Sequence, residues 1–296
     1  MNRVLLFAVV LLTLIMMFGC SRTPDVTGPS DTTNLGALVQ RPEFVDTRPE
    51  AAIISATLKP TADYTSAVYK KPPPPPPPDT GSDPNPNPAH KYAYVVGISD
   101  YEGTANDLQY CDDDARDMKA YFQSQGFTVV MDLDRNATAT AIEAGLDWLI
   151  SVAAPGDEIA FAYSGHGVKV QGYGSSIIST DLYYLTHGWV MQKFNAANCT
   201  KKHFTLDACV AGGFLADCVS GTMMALASNN TYSYDAPDLN NGAWTYYWIE
   251  AVTTQSMVYA EDAAAYAEDG MKAWASQYHV RVSPTHSDKY SGMFDI

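Results

Sequence analysis

A mostly parallel β-sheet with helices on both faces is the fold this sequence predicts between residues 91 and 296. Two observations point to it. Short runs of β-branched, aromatic and small apolar residues alternate with segments whose apolar residues recur at helical spacing. With 46% hydrophobic and 17% charged residues in 296, the chain also has the make-up of a globular protein with a core of ordinary size.

The elements follow in order. Tyr92-Ala93-Tyr94-Val95-Val96-Gly97-Ile98 reads as a strand buried on both faces. A helix follows: Ala115, Met118 and Phe122 share one side, Asp112, Asp113 and Asp114 stand at its start, and Gly126 ends it. Phe127 to Met131 is a second strand, and Thr140 to Val152 a helix with Ile142, Leu146, Leu149 and Ile150 on one side. Pro155-Gly156-Asp157 is a turn into a third strand, Glu158 to Tyr163. His203 to Leu206 and Thr222 to Ala227 are the fourth and fifth strands, and Gly242 to Val252 is a helix. Sheets of this kind bind ligands beyond the carboxyl ends of their strands. His166 and Cys209 each fall just past such an end.

Residues 1–90 read differently. Arg3 precedes an apolar stretch, Val4 to Phe18, that is too short to span a bilayer comfortably and reads as an export signal over residues 1–20. Met17-Phe18-Gly19-Cys20 resembles a bacterial lipobox, which implies lipidation of Cys20 and an anchor in the cell envelope; Ser21 favours the outer membrane, and plain secretion is the alternative. Residues 21–90 read as a disordered Pro-rich linker, with a polyproline rod at Pro72 to Pro78. The short apolar patch Ala51-Ala52-Ile53-Ile54 could add a strand, but nothing compels one. A net charge of −15 argues against nucleic acid as a partner, because that needs a basic face.

Two segments carry chemistry. Tyr163-Ser164-Gly165-His166-Gly167 closes the third strand, and Leu206-Asp207-Ala208-Cys209-Val210-Ala211-Gly212-Gly213 closes the fourth. A thiol is mostly protonated at neutral pH, and an imidazole beside it can take that proton and later return it to a leaving amine. The chain has no Gly-x-Ser-x-Gly elbow of a serine hydrolase, and neither His-Glu-x-x-His nor Cys-x-x-Cys for zinc, so no metal site is expected.

In these two motifs, in this order, the chain resembles the caspase-like cysteine peptidases, and among them the bacterial relatives of metacaspases. The likeness extends over Lys91 to Ile296. It implies the three-layer caspase-like (caspase-haemoglobinase) α/β fold and a His166/Cys209 dyad with an oxyanion held by the backbone N–H groups of Gly167 and Cys209. It also implies substrate-binding carboxylates at Asp114 and Asp207 that select Arg or Lys, hence protein or peptide substrates with basic residues. Asp114 reads equally as a helix-capping residue. Val210-Ala211 stands where many metacaspases have His-Ser, and the segment Val168 to Thr180 lacks the carboxylates of their calcium loop; Asp181 and Asp217 are the nearest. No cofactor is expected, and calcium activation is in doubt. Only Lys169 and Lys193 invite self-cleavage between Gly167 and Asn198, which favours a monomeric single chain. With Cys209 as nucleophile, Cys111, Cys199 and Cys218 can form one disulfide, expected between Cys199 and Cys218. The other reading of the same fold is a catalytically weak binding or regulatory module at the cell envelope.

Overall fold

The computed structural model describes residues 39–40, 44 and 82–296. Cys20, the Pro72–Pro78 run and the Ala51–Ile54 patch lie outside them. In chain order the elements are β1 (Val39–Gln40), β2 (Lys91–Gly97), α1 (Cys111–Ser124), β3 (Thr128–Leu133), α2 (Ala139–Val152) and β4 (Glu158–Ser164). Then come β5 (Gly167–Val170), β6 (Gly174–Ile178), β7 (Tyr183–Thr186), α3 (His187–Ala196) and β8 (Lys201–Asp207). The chain continues through β9 (Thr222–Leu226), β10 (Asp235–Ala236), β11 (Asn241–Gly242), α4 (Ala243–Thr253), α5 (Ala260–Gln277) and β12 (Thr285–Asp288).

The six-stranded sheet has the order β12-β9-β8-β4-β2-β3. Four of its five pairings are parallel; β12 runs antiparallel along β9. Every residue of β4 and of β8 is buried, as expected of central strands covered on both faces. In β2, Ala93 and Val95 face a core built with Met118 and Phe122 of α1, Trp244 and Trp248 of α4, and the alanines of α5. Tyr94 and Val96 face the other core, with Ile142, Leu146 and Leu149 of α2 and Val190 and Phe194 of α3. The alternation along one strand thus sorts the helices into two layers, and the three-layer α/β expectation holds.

Several elements were not expected. The stretch read as an open loop after His166 forms β5 and β6, which continue through β7 into a second, antiparallel sheet ordered β1-β7-β6-β5. Its runs are short and mixed with Ser and Gly, so they lack an apolar signature. Helix α5 presents an almost all-alanine face, which gives weak periodicity; Gly270 brings it close to α4, since a Cβ there would lie 2.4 Å from the Tyr247 ring.

At the amino end of the central strands, Lys201 is fully buried and pairs with Asp83 at 2.9 Å, Glu158 at 3.4 Å and Asp295. Three carboxylates offset the cost of taking one ammonium out of water. This cluster joins the C-terminus to Asp83, so contacts of the folded unit reach eight residues upstream of β2. The opposite, carboxyl end of the sheet carries the candidate site.

Candidate active site

The parallel register pairs Ser164 with Asp207 at the ends of β4 and β8. Gly165 N–H donates to the Asp207 carbonyl at 3.1 Å and extends that ladder by one step. His166 and Cys209 each follow two residues after this pair, so the register itself brings them to the same edge. Gly167 explains how closely the two ends approach. A Cβ at residue 167 would lie 2.2 Å from the Cys209 carbonyl oxygen and 2.9 Å from its nitrogen, which no side chain tolerates.

The His166 side chain is buried, and its Nε2 lies 2.7 Å from the backbone carbonyl oxygen of Asn106. A carbonyl only accepts, so the proton resides on Nε2 and the neutral ring keeps Nδ1 as a proton acceptor. Backbone groups fix the residue as well. His166 N–H donates to the Tyr101 hydroxyl at 2.8 Å, and the Tyr163 hydroxyl lies 2.9 Å from the His166 carbonyl. The Tyr101 ring packs 4.7 Å from the imidazole.

Cys209 is buried, with its Sγ accepting from Ser233 N–H at 3.3 Å. The same sulfur lies 3.7 Å from the Ser233 carbonyl oxygen, so both backbone groups of Ser233 hold it. The next residue, Val210, has φ of +45°, a left-handed conformation that strains a β-branched side chain. It is held by Val210 N–H donating to Thr231 O at 2.9 Å and by Ser175 Oγ donating to Val210 O at 2.5 Å. The turn then runs into a 3₁₀ helix, Ala211–Asp217.

Asp114 and Asp207 come together beneath this edge. Asp114 accepts from Ser164 Oγ at 2.6 Å, Gly242 N–H at 2.8 Å and Asn241 Nδ2 at 3.1 Å. Asp207 accepts from the Ser233 hydroxyl, and from Thr245 N–H at 3.1 Å and Thr245 Oγ1 at 3.0 Å. Both carboxylates converge on one point: a Cβ on Gly242 would lie 2.3 Å from Asp207 Oδ2 and 2.6 Å from Asp114 Oδ2. Burial first, then the charge of Asp207, pushes the Asp114 carboxyl well above the usual carboxylate range. Burial likewise raises Asp207 to about 6, against the pull of its hydrogen bonds. Ser233 links the halves of the site, its N–H on the Cys209 sulfur and its hydroxyl on Asp207.

A caspase-domain family model matches residues 90–291, more than two thirds of the chain. The chain belongs to the caspase-domain family. The caspase domain is similar to Metacaspase-1 of Mycosarcoma maydis, 31% identical over 106 residues, which is 30% of this chain and 26% of that protein. It is also similar to Metacaspase-2 of Arabidopsis thaliana, 30% identical over 154 residues, 44% of this chain and 36% of that protein. The matched stretches thus span about a quarter to a third of these relatives. A solved structure of a Geobacter sulfurreducens protein superposes with a TM-score of 0.52 at 15% identity, covering 68% of this chain and 94% of that one, a likeness of fold.

Within the caspase domain the four expected site residues, His166, Cys209, Asp114 and Asp207, lie at one end of the sheet, with Gly167 between His166 and Cys209. The sequence reading missed Asn106, Ser164, Ser233, Asn241 and Thr245. Asn106 acts through its backbone carbonyl, which no side-chain pattern reveals; Ser164 lies inside the His motif, and Gly242 to Thr245 start a helix that was read. It also missed Asp235, whose carboxylate accepts from Gln109 N–H at 2.9 Å and whose charge adds to burial in raising both Cys111 and Asp207. The expected Cys199–Cys218 disulfide is not formed: all four described cysteines are free thiols. Cys199 Sγ faces Lys201 O at 3.9 Å and Cys218 Sγ faces Thr222 O at 3.9 Å, separate backbone carbonyls on separate strands. Among the described residues no helix is long and apolar enough to cross a membrane.

Proposed function

We propose that this caspase domain is a cysteine endopeptidase that cleaves after Arg or Lys, with His166 and Cys209 as its working pair. The observation that carries the reading is the Ser164–Asp207 register pair, which brings His166 and Cys209 to one edge of the sheet, near two converging carboxylates. The Cys209 thiol gives its proton to His166 Nδ1, and the thiolate sulfur bonds to the carbonyl carbon of the substrate. The N–H groups of Gly167 and Cys209 hold the oxyanion, an arrangement in which each donor contributes about 3 kcal/mol. Collapse breaks the C–N bond, and His166 returns its proton to the departing amine. Water then attacks the thioester with His166 as base, releasing the carboxylic acid and the thiol.

The side chain before the cleaved bond enters at Asp114 and Asp207. The pair is buried and accepts hydrogen bonds from Ser164, Asn241 and Gly242 on one carboxylate and Ser233 and Thr245 on the other, all of them neutral donors. A guanidinium or ammonium ion would supply the missing positive charge, through charge-assisted and, for Arg, bidentate hydrogen bonds. The same proposal places the domain outside the cytoplasm as a monomer, lipid-anchored through Cys20 and held off the membrane by the Pro-rich arm. A Cys20→Ala variant then loses acylation and membrane retention.

Hydrolysis of fluorogenic peptides ending in Arg, Lys or Asp tests the function. Turnover of the Arg and Lys peptides is expected. Cleavage after Asp alone would overturn the pocket assignment. A folded protein with reduced Cys209 and no turnover of any peptide would instead make the chain a binding module.

A further inference from the structure

The hairpin that follows His166 also touches the turn that follows Cys209. Strands β5 and β6 pair antiparallel, with Gly167 opposite Ile177 and Lys169 opposite Ser175. Near Gly167 the hairpin is tied to the imidazole-bearing residue, because Ile178 N–H donates to the His166 carbonyl at 3.1 Å. Two residues before Ile177, the buried Ser175 meets residues 210–213. Its Oγ donates to the Val210 carbonyl at 2.5 Å and accepts from Gly213 N–H at 2.9 Å. One hydroxyl thus bridges both ends of the turn. The fit is close, since a Cβ on Gly213 would lie 2.8 Å from that same Oγ.

Val210 is where the turn needs holding. Its φ of +45° and ψ of +37° are left-handed, a conformation in which a β-branched side chain crowds its own backbone. The N–H groups of Val210, Ala211 and Gly212 are taken by one segment, at Thr231 O (2.9 Å), Ser228 O (3.0 Å) and Asn229 O (2.8 Å). The peptide that joins Val210 to Ala211 is therefore held at both ends, its N–H by Ser228 and its oxygen by Ser175. Relaxation of Val210 to an ordinary conformation turns this plane and breaks the Ser175 bond. Cys209 is the adjoining residue, so such a turn displaces its thiol and its backbone N–H together.

We propose that Ser175 is a positioning residue for Cys209, its hydroxyl locking the left-handed Val210 turn onto the hairpin that also fixes His166. One hairpin then sets the placement of both members of the pair. The role deepens the reading of His166 and Cys209 given above and rests on it. The hydrogen bonds of Asp114 and Asp207 come from other residues, Ser164, Asn241 and Gly242 on one and Ser233 and Thr245 on the other. Loss of the Ser175 hydroxyl therefore falls on kcat and spares KM.

The test is a double-mutant cycle on the full chain: parent, Ser175→Ala, Val210→Gly and the two combined. Glycine occupies the left-handed region without strain, so at residue 210 it no longer needs the lock. Steady-state kcat and KM are measured with an Arg peptide, and alkylation of Cys209 by iodoacetamide is followed by peptide mass mapping. Both kcat and the alkylation rate depend on how the thiol sits beside His166. With Val210 in place, Ser175→Ala should lower each at least about tenfold, the factor that about 1.4 kcal/mol of lost positioning represents, with KM within about twofold of the parent. In the Val210→Gly background the same exchange should cost about twofold or less. Ser175→Cys, close in shape but a weak hydrogen-bonding group, should follow Ser175→Ala and replaces it in the cycle where the alanine protein fails to fold. Equal losses in the two backgrounds, or parental kcat and alkylation in Ser175→Ala, would overturn the role. Alkylation that follows the cycle with no hydrolysis in any form would keep the role of Ser175 and overturn the peptidase reading instead.

Discussion

The backbone carbonyl of Asn106 stands 2.7 Å from Nε2 of His166, across 60 residues of sequence. That contact fixes which ring nitrogen holds the proton, and so leaves Nδ1 as the ring's proton acceptor. Because the acceptor is main chain, a side-chain substitution at residue 106 leaves it in place.

The close approach at Gly167 gives the first prediction. In Gly167→Ala the added methyl meets the Cys209 backbone at 2.2 Å, and neither strand end can yield without moving the thiol or the imidazole. A displacement on the order of 1 Å costs roughly 100-fold in rate, and overpacking of this kind costs about 1–3 kcal/mol. Steady-state kinetics and a thermal melt on the same sample check both. Parental values for both would show that the two backbones are not in contact.

Asp207 links activity to pH-dependent stability. Its folded pKa of about 6 lies above the 3.8 of an ordinary aspartate, because burial disfavours the charge. A raised carboxylate contributes stability that is present below pH 3.8 and lost as pH rises through 6, so ionised Asp207 destabilises the fold at pH 7.5 by about 1–3 kcal/mol. Asp207→Asn should therefore unfold later in urea than the parent at pH 7.5, with the gain vanishing near pH 3.5, while cleavage after Arg and Lys collapses. Less stability at pH 7.5 would mean that the carboxylate charge is compensated.

His203 has the opposite sign. Its ring is fully buried, stacked 5.0 Å from Trp248 with Phe122 and Phe294 beside it, and neither ring nitrogen has a hydrogen-bond partner among the described residues. Burial lowers its pKa to about 3 from 6.5, so the unfolded chain takes up the proton first. Stability is complete above pH 6.5 and drains as pH falls toward 3. His203→Phe should remove that drain: its advantage over the parent should grow by about 1.4 kcal/mol per pH unit between pH 6 and 4. Parallel curves for the two proteins would place His203 in contact with water.

Metal removal is expected to leave the rate unchanged. Asp181 already accepts from Ala139 N–H at 2.8 Å and Ser179 Oγ at 2.6 Å, and Asp217 is paired with His187. Among the described residues no three His, Cys, Asp or Glu side chains gather as a metal site would need. Assays with EDTA and with added calcium check this, and strict calcium dependence would contradict it.

The central sheet was legible because its strands are strongly apolar, and the His166 and Cys209 motifs stood out because they follow two of those strands directly. Asp114 and Asp207 were legible from the motifs of a known family; that both lie under Gly242 was not, since Gly242 meets them only in three dimensions. The β5–β6–β7 sheet escaped notice because Val168 to Ser176 mixes polar and apolar residues with no clear period. Phe44, whose ring lies 5.5 Å from the His166 imidazole, escaped because that partner is 122 residues away and its surroundings read as linker. The three cysteines other than Cys209 allowed one bridge, expected between Cys199 and Cys218, but spacing alone does not pair thiols and both are free.

The most direct test of the account is kcat/KM for an Arg-containing fluorogenic peptide, measured for the full chain, Cys209→Ala and His166→Ala. The account predicts measurable turnover by the parent and a loss of about 1,000-fold or more in each variant, as when a nucleophile or its base is removed from a working pair. Parental turnover by Cys209→Ala would contradict it.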